Sequence, residues 1–469
     1  MTLNEVIIGL QYFFLLYFVG INGGYLVLNV LAAVNLSRYM RTKSTGDIPS
    51  VFSGFEPPIS ILVPAYNEQA TIETSVRSLM QLEYEEYEII VVNDGSEDET
   101  LGVLKRAFSL TLFPEDYQHR LPTKAVRKVY RSAVHPNLRV IDKENGGKAD
   151  ALNAGINYSR YDLFCAIDAD SILQRDSLRR IVQPFLDDPS TVAGGGTVRI
   201  ANGCTVSGGY ILEAGLPRSI LALFQIVEYL RAFLFGRLGW SSLNALLVIS
   251  GAFGVFQKES VVAVGGYLAD TVGEDMELVV RLHRHLRLDR KKYRIAFIPE
   301  PICWTEAPED LKTLRNQRIR WHRGLSESLT KNWNLLFHPR SGMVGFLAFP
   351  FMVIFEWLGA AIEVVGYVFM IVGFALGIIS MQAMVAFMLA SIGLGILLSV
   401  CALFLEEVGF HIYPKFRQVF ILILALLGEN LGYRQLNSVW RVGGLIRWAF
   451  GAKGHWGEMK RKASWQKNS

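Results

Sequence analysis

The stretch LFCAIDADS, residues 163–171, sets five apolar residues directly before two carboxylates that are separated by one small residue. A short apolar run bounded by turn residues fits a strand buried on both faces. Three more such runs occur, ISILV (59–63), EIIVV (88–92) and LRVID (138–142), and amphipathic stretches follow them. Strand, loop and helix repeated in this way need crossover connections, which make a parallel sheet. In such sheets ligands bind where loops leave the C-terminal strand ends. Those loops are polar here: Pro64-Ala65-Tyr66-Asn67-Glu68, then Asn93-Asp94-Gly95-Ser96, then Asp168-Ala169-Asp170-Ser171. Each delivers a carboxylate to one edge of the sheet.

The rest of the chain is unlike a soluble domain. Of its 469 residues 51% are apolar and 19% charged, against about 25% charged in an average soluble protein. With 47 basic and 43 acidic residues the net charge of +4 is too balanced to indicate nucleic acid as a partner. Residues 6–34 run 29 positions without a charge, longer than the roughly 20 needed to span a bilayer. Arg38, Arg41 and Lys43 follow that run, so it reads as a transmembrane helix with the next segment in the cytosol rather than as a signal peptide. Residues 342–405 hold two charges, Glu356 and Glu363, and read as at least two spans with a break near Ser380 and Gln382. The apolar stretch 419–428 fits a tilted span or a re-entrant element.

After Tyr433 come Arg434, Arg441, Arg447, Lys453, Lys460, Arg461, Lys462 and Lys467 against the single acid Glu458, which predicts a cytosolic tail and an even number of crossings after the catalytic part. Two spans plus a re-entrant piece satisfy that. The predicted layout is an N-terminal transmembrane helix (1–36), a cytosolic α/β domain (37–335), a C-terminal transmembrane bundle (336–435) and a basic tail (436–469). Cys165, Cys204, Cys303 and Cys401 lie far apart and read as reduced thiols, with neither zinc-site nor disulfide spacing.

Five local patterns are candidates for chemistry, and each has a plainer alternative. Asp168 and Asp170 can both reach a divalent cation bridging a diphosphate, although aspartate also serves in turns and caps. Asn145-Gly146-Gly147-Lys148 opens a helix and offers backbone N–H groups and a lysine to phosphate, or is a glycine turn with a surface lysine. In Gly273-Glu274-Asp275 a carboxylate caps a helix or acts as a general base. Gln317, Arg320 and Trp321, at i, i+3 and i+4, share one helix face. That face presents an amide, a guanidinium and a flat ring, or only an interfacial anchor. Ile249-Ser250-Gly251-Ala252-Phe253-Gly254 reads on its own as a small-residue turn into a strand, and only by resemblance to a known loop as an acceptor-side element.

Other charges are read against the membrane. Residues 120–148 hold eight lysines and arginines against two acids, a solvated face or an anionic-lipid contact. Residues 218–236 are apolar except for a stripe at Gln225, Glu228 and Arg231, as in a helix lying in the membrane interface. Glu356 and Glu363 fit a polar lining for a sugar path or structural contacts, and Gln11, Asn22 and Asn29 fit either the path or helix contacts.

Taken together and in this order, the motifs over roughly residues 57–335 resemble the membrane-embedded family-2 glycosyltransferases that include cellulose, hyaluronan, chitin and poly-N-acetylglucosamine synthases. The resemblance implies a GT-A domain, Rossmann-like with a mostly parallel sheet, inserted between transmembrane helices, with amphipathic interface helices near 218–236 and 312–335. It implies Ala65, Tyr66, Asn67, Glu68 and Asp94 around a uridine, Lys148 near the nucleotide sugar, Asp168 in contact with the nucleotide, and Asp170, with Asp168, holding Mg²⁺ or Mn²⁺. Asp275, with Glu274 beside it, would be the base; Ser250 and Gly251 would face the acceptor. Gln317, Arg320 and Trp321 match the family's Q-x-x-R-W signature, which implies a pyrophosphate clamp and a sugar platform.

The expected activity is inverting transfer from a UDP-sugar, UDP-GlcNAc over UDP-Glc, to a β-linked polysaccharide that is translocated across a bacterial inner (plasma) membrane. The donor, the glycan acceptor and the lipid bilayer are the expected partners. The absence of an appended module like the cyclic-di-GMP-binding one of bacterial cellulose synthases leaves regulation or export to a separate partner in the envelope. Alternatives are single-sugar transfer to a lipid carrier, disfavoured by Q-x-x-R-W, and a non-catalytic membrane receptor or secretion component, disfavoured by the intact set of acids.

Overall fold

In the computed structural model, which describes residues 2–44, 56–115, 117–207 and 209–451, the four expected strands lie side by side and parallel. Numbered along the chain, the strands are β1 (Ile59–Ala65), β2 (Tyr87–Asp94), β3 (Leu110–Leu112), β4 (Val126–Ser132), β5 (Leu138–Lys143), β6 (Leu163–Ile167), β7 (Ile172–Leu173), β8 (Thr191–Ile200), β9 (Thr205–Ser207), β10 (Tyr210–Glu213), β11 (Phe253–Gln257) and β12 (Arg294–Thr305). The order across the main sheet is β3-β4-β5-β2-β1-β6-β11-β8-β12-β7, and β9 and β10 form a separate hairpin. Ile59 of β1 faces Tyr87 of β2 on one side and Leu163 of β6 on the other. Every residue of β6 is buried, as its unbroken apolar run requires.

The stretch between β2 and β5 is not simply an insertion. It supplies β3 and β4, which extend one edge antiparallel. The charges belong to β4, whose Arg127 and Lys128 are exposed where the three-residue β3 does not reach; they resist further pairing and conceal the strand in the sequence. The eight basic residues of 120–148 are likewise not one face. Arg139 and Lys143 are buried, Arg139 against Glu88 and Glu115 and Lys143 against Asp94 and Asp150.

Among the described residues three helices are long and apolar enough to cross a membrane: Leu3–Arg41, Met381–Gly409 and Phe416–Ala449. Val344–Trp357 and Gly359–Ala375 are apolar enough together but bent by 43°, as in a broken span or a re-entrant loop. The break expected near Ser380 is present, because Ser380 caps the next helix by accepting from Ala383 N. The stretch 419–428 lies in the helical segment Phe416–Gly428, the first part of the apolar helix Phe416–Ala449. That helix breaks at Leu431 and Gly432 (φ +144) and resumes at Arg434. Its polar part stays helical because one face docks on the helix Leu311–Lys331, where Gly444 meets the Ile319 carbonyl. Much of the expected tail is therefore packed helix; Lys453, Glu458, Lys460, Arg461, Lys462 and Lys467 lie outside the described residues.

The acids of the apolar region make structural contacts. Glu356 Oε2 pairs with Arg441 at 2.8 Å and Glu363 Oε2 accepts from Ser438 Oγ at 2.6 Å. Asn22 Nδ2 donates to the carbonyls of Phe18 and Ala390 at 2.8 and 3.0 Å. Buried Arg199 of β8 pairs with Glu406 of the helix Met381–Gly409, joining the sheet directly to an apolar helix.

Candidate active site

Strand direction decides which loops meet. β8 and β12 run parallel to β6, so their C-terminal ends share its edge, and antiparallel β11 brings its own start there, Phe253 opposite Ile167. Asp168 and Asp170 thus stand beside the Ser250-Gly251 loop and the 306–310 loop. Two helices close the space: Glu274–Leu288, which begins with Glu274 and Asp275, and Leu311–Lys331, which carries Gln317, Arg320 and Trp321. They touch glycine to glycine, since a Cβ added to Gly324 would stand 2.8 Å from Gly273 Cα.

A cavity of about 370 Å³ results, lined by Lys148, Asp168, Asp170, Ser250, Gly251, Glu274, Asp275, Gln317, Arg320 and Trp321. Residues as far apart in the chain as Lys148 and Leu325 meet there. Lys148 Nζ lies 2.5 Å from Asp168 Oδ1 and 3.5 Å from Glu274 Oε1, and it donates to the Gly251 carbonyl at 3.3 Å. Burial works against the Lys148 ammonium, but Asp168 and Glu274 outweigh it and raise its pKa above the lysine norm. Burial also raises the Glu274 carboxyl, with Lys148 opposing and Asp275 adding repulsion. Asp275 Oδ2 accepts from Gly251 N at 2.9 Å, which fixes the carboxylate toward the cavity.

Among the described residues no group of three or more His, Cys, Asp or Glu side chains gathers as a self-sufficient metal site. Asp168 and Asp170 offer carboxylate oxygens from one loop into the cavity. Two carboxylates with the remaining oxygens left to phosphate is a donor set that fits Mg²⁺ or Mn²⁺.

The loops after β1 and β2 form a second cluster on the same edge, outside the cavity lining. Ala65 is buried and Tyr66 exposed; Asn67 (φ +55) accepts from Glu97 N at 2.8 Å, and Glu68 Oε2 accepts from Thr71 Oγ1 at 2.7 Å. Asp94 is buried and turned toward the next loop, accepting from Gly146 N at 3.0 Å and Gly147 N at 2.7 Å. Gly147 has φ +86, a conformation that favours glycine. Asp94 therefore sets the turn from which Lys148 enters the cavity.

The helix Ile220–Leu230 and the π-helical stretch Arg231–Arg237 that follows it also contribute to the cavity, which no local pattern indicates. Glu228, Tyr229, Phe233 and Arg237 all line the cavity. The stripe faces protein: Gln225 Nε2 donates to the Pro308 carbonyl at 2.8 Å, Glu228 Oε2 accepts from Arg318 at 2.7 Å and Tyr433 Oη at 3.0 Å, and Arg231 pairs with Glu429 at 2.9 Å. Arg318, an unspecified position of Q-x-x-R-W, is buried and clamps the signature helix to Glu228. The three-residue spacing was the visible signal; the partners lie too far along the chain to be read locally.

His283 anchors the helix that carries Asp275, with Nδ1 2.5 Å from Tyr293 Oη and Nε2 2.8 Å from the Leu246 carbonyl. Burial pushes its pKa down to about 4. The unfolded chain binds that proton near pH 6.5, about the free imidazole value, so stability falls as pH drops below that point and the loss is complete near the folded value. Thermal unfolding of His283→Gln should show a shallower dependence over this window than wild type; identical slopes would assign the effect to other groups.

The profile described as "Glycosyl transferase family 2" matches residues 60–225, and "Glycosyl transferase family group 2" matches residues 163–398. The poly-beta-1,6-N-acetyl-D-glucosamine synthase of Staphylococcus aureus (strain COL) is 32% identical over 278 residues, covering 59% of this chain and 56% of that one. The protein of the same name from Staphylococcus epidermidis is 29% identical over 276 residues, with the same coverage. The chain thus spans about half the length of the curated relatives it matches. The mannosyltransferase PcManGT from Pyrobaculum calidifontis, solved in complex with GDP-Man and Mn²⁺, superposes with a TM-score of 0.53 at 16% identity, covering 94% of this chain and 99% of that one. That likeness bears on fold alone, and it agrees with the expected GT-A architecture flanked by apolar helices. With one profile extending over half of the residues, from the Asp168 strand into the apolar helices, the chain belongs to the glycosyl transferase family group 2.

Proposed function

We propose that the protein is an inverting, metal-dependent membrane glycosyltransferase that moves sugar from a UDP-sugar, UDP-GlcNAc first, to a growing β-linked polysaccharide and passes the product across the bilayer. The observation that carries this reading is the convergence of Lys148, Asp168, Asp170, Asp275 and the Q-x-x-R-W face on one cavity. Family membership and the two staphylococcal relatives support the polysaccharide class. The proposed layout keeps the helix at 1–36, the catalytic domain at 37–335 and the bundle at 336–435, with the catalytic domain in the cytosol of an inner-membrane protein.

A sugar hydroxyl is a weak nucleophile and UDP leaves with negative charge, so the site needs a base on one side and positive charge on the other. Asp275 takes the acceptor hydroxyl proton while the oxygen bonds to the anomeric carbon and the bond from that carbon to UDP breaks. A divalent cation held by Asp170 and Asp168 would supply charge to the diphosphate. Lys148 and Arg320 add fixed positive charge, and Trp321, 43% exposed, offers its ring to the acceptor sugar. Tyr66, Asn67 and Glu68 are proposed to receive the uridine. One displacement with one base inverts the anomer.

The test is incubation of purified full-length protein with Mg²⁺ or Mn²⁺ and a panel of UDP-sugars, reading UDP release and product size. Long product from one donor is expected. A short or lipid-linked product would instead assign single transfer, and absence of turnover with every donor would overturn the enzymatic reading. In the same assay Gly324→Val, which forces the two site helices apart at Gly273, should lower turnover by about 100-fold and cost about 1–3 kcal/mol of stability; wild-type turnover would show that the glycine contact does not position the site.

A further inference from the structure

We propose that Arg237 seats the terminal sugar of the acceptor against Asp275, donating hydrogen bonds to that sugar's oxygens. This rests on the cavity being the transferase site. Arg237 ends the π-helical stretch Arg231–Arg237 that follows the helix Ile220–Leu230, and it lines the cavity. Its guanidinium lies over the Phe233 ring, 3.7 Å from the centroid, so its plane is held in place. Among the described residues its Nη1 is buried and donates to no group. Burial lowers its pKa to about 10, with the charge of Asp275 acting against that shift.

A cation kept in apolar surroundings without a counter-ion in contact is costly unless a ligand supplies acceptors. Gln317, on the signature helix of the same cavity, has a buried Oε1 that accepts from no described group. One unmet donor and one unmet acceptor match hydroxyl groups, which both accept and donate. A diphosphate carries no O–H to donate to Gln317 Oε1, whereas sugar hydroxyls satisfy both that oxygen and Arg237 Nη1, so the oxygens are assigned to the acceptor sugar beside Asp275, which lines the same cavity.

The test compares full-length wild type, Arg237→Lys and Arg237→Met with Mn²⁺, UDP-N-acetylglucosamine and a β-1,6-linked N-acetylglucosamine pentasaccharide as the added acceptor. Arg237→Met should lower kcat/KM for the pentasaccharide by about 10- to 100-fold, the range for loss of a charged hydrogen bond, mainly through KM, with Arg237→Lys losing less. UDP affinity and Tm should stay at wild-type values, and a larger share of the donor should be hydrolysed by water. Unchanged transfer in Arg237→Met overturns the proposal, as does a loss that is accompanied by equal losses in UDP affinity or Tm. Wild-type protein inert toward the donor would overturn the transferase reading itself and this inference with it, whereas active wild type beside an unaffected variant overturns the inference alone.

Discussion

Replacing Asp275 with asparagine is expected to lower sugar transfer by about 10²- to 10⁴-fold, the usual worth of a positioned general base, while UDP-sugar binding is retained. Asparagine keeps the shape and can still accept from Gly251 N, the contact that holds Asp275 Oδ2 at 2.9 Å. It cannot take a proton from the acceptor hydroxyl. The donor contacts assigned to Lys148, Asp168 and Asp170 come from other segments of the chain and are untouched by the change. Single-turnover transfer measured beside UDP binding separates the two effects. A loss below about tenfold, short of the range for a general base, would move the base role to another cavity acid, and equal loss of UDP binding would make Asp275 a donor-site residue.

Lys143→Met should destabilise the catalytic domain by about 3–5 kcal/mol, the cost of removing one member of a buried ion cluster. Lys143 is fully buried, its Nζ 2.5 Å from both Asp94 Oδ1 and Asp150 Oδ1. Methionine fills a similar volume but leaves two carboxylates facing each other without a cation. Asp94 also holds the Gly146 and Gly147 N–H groups, so the turn that presents Lys148 should loosen and turnover should fall as well. Thermal unfolding checks the first effect. Adding Asp94→Asn and Asp150→Asn to Lys143→Met should recover part of the lost stability, because neutral amides tolerate the missing charge; no recovery would mean that packing, not charge, dominates at Lys143.

Much of this arrangement was legible because its signals are local. β1, β2, β5 and β6 announce themselves as apolar runs between turn residues, and Asp168, Asp170, Asp275 and Gln317-Arg318-Ile319-Arg320-Trp321 carry their chemistry within a few positions. The unread parts depend on partners far along the chain. β4 looks polar because its first half, which β3 does not cover, is charged. Asp94 could be placed at the right sheet edge; what could not be read is that it also braces the Lys148 turn, through buried Lys143 and the N–H groups of Gly146 and Gly147. Arg318 gains its role from Glu228 and Tyr433, and Arg237 from a cavity that exists only once the helix Ile220–Leu230 and its continuation pack over the sheet edge. The acids Glu356 and Glu363 show the reverse case, in which a pattern that fits a sugar path is used for contacts with Arg441 and Ser438.

The central claim, that sugar transfer takes place in this cavity, is tested most directly by determining the structure of the full-length protein with UDP and Mn²⁺. The account predicts the metal against Asp170, the diphosphate between that ion and the Lys148–Arg320 side of the cavity, and the uridine toward Tyr66 and Asn67. Nucleotide bound at any other surface, with the cavity left empty, would contradict it.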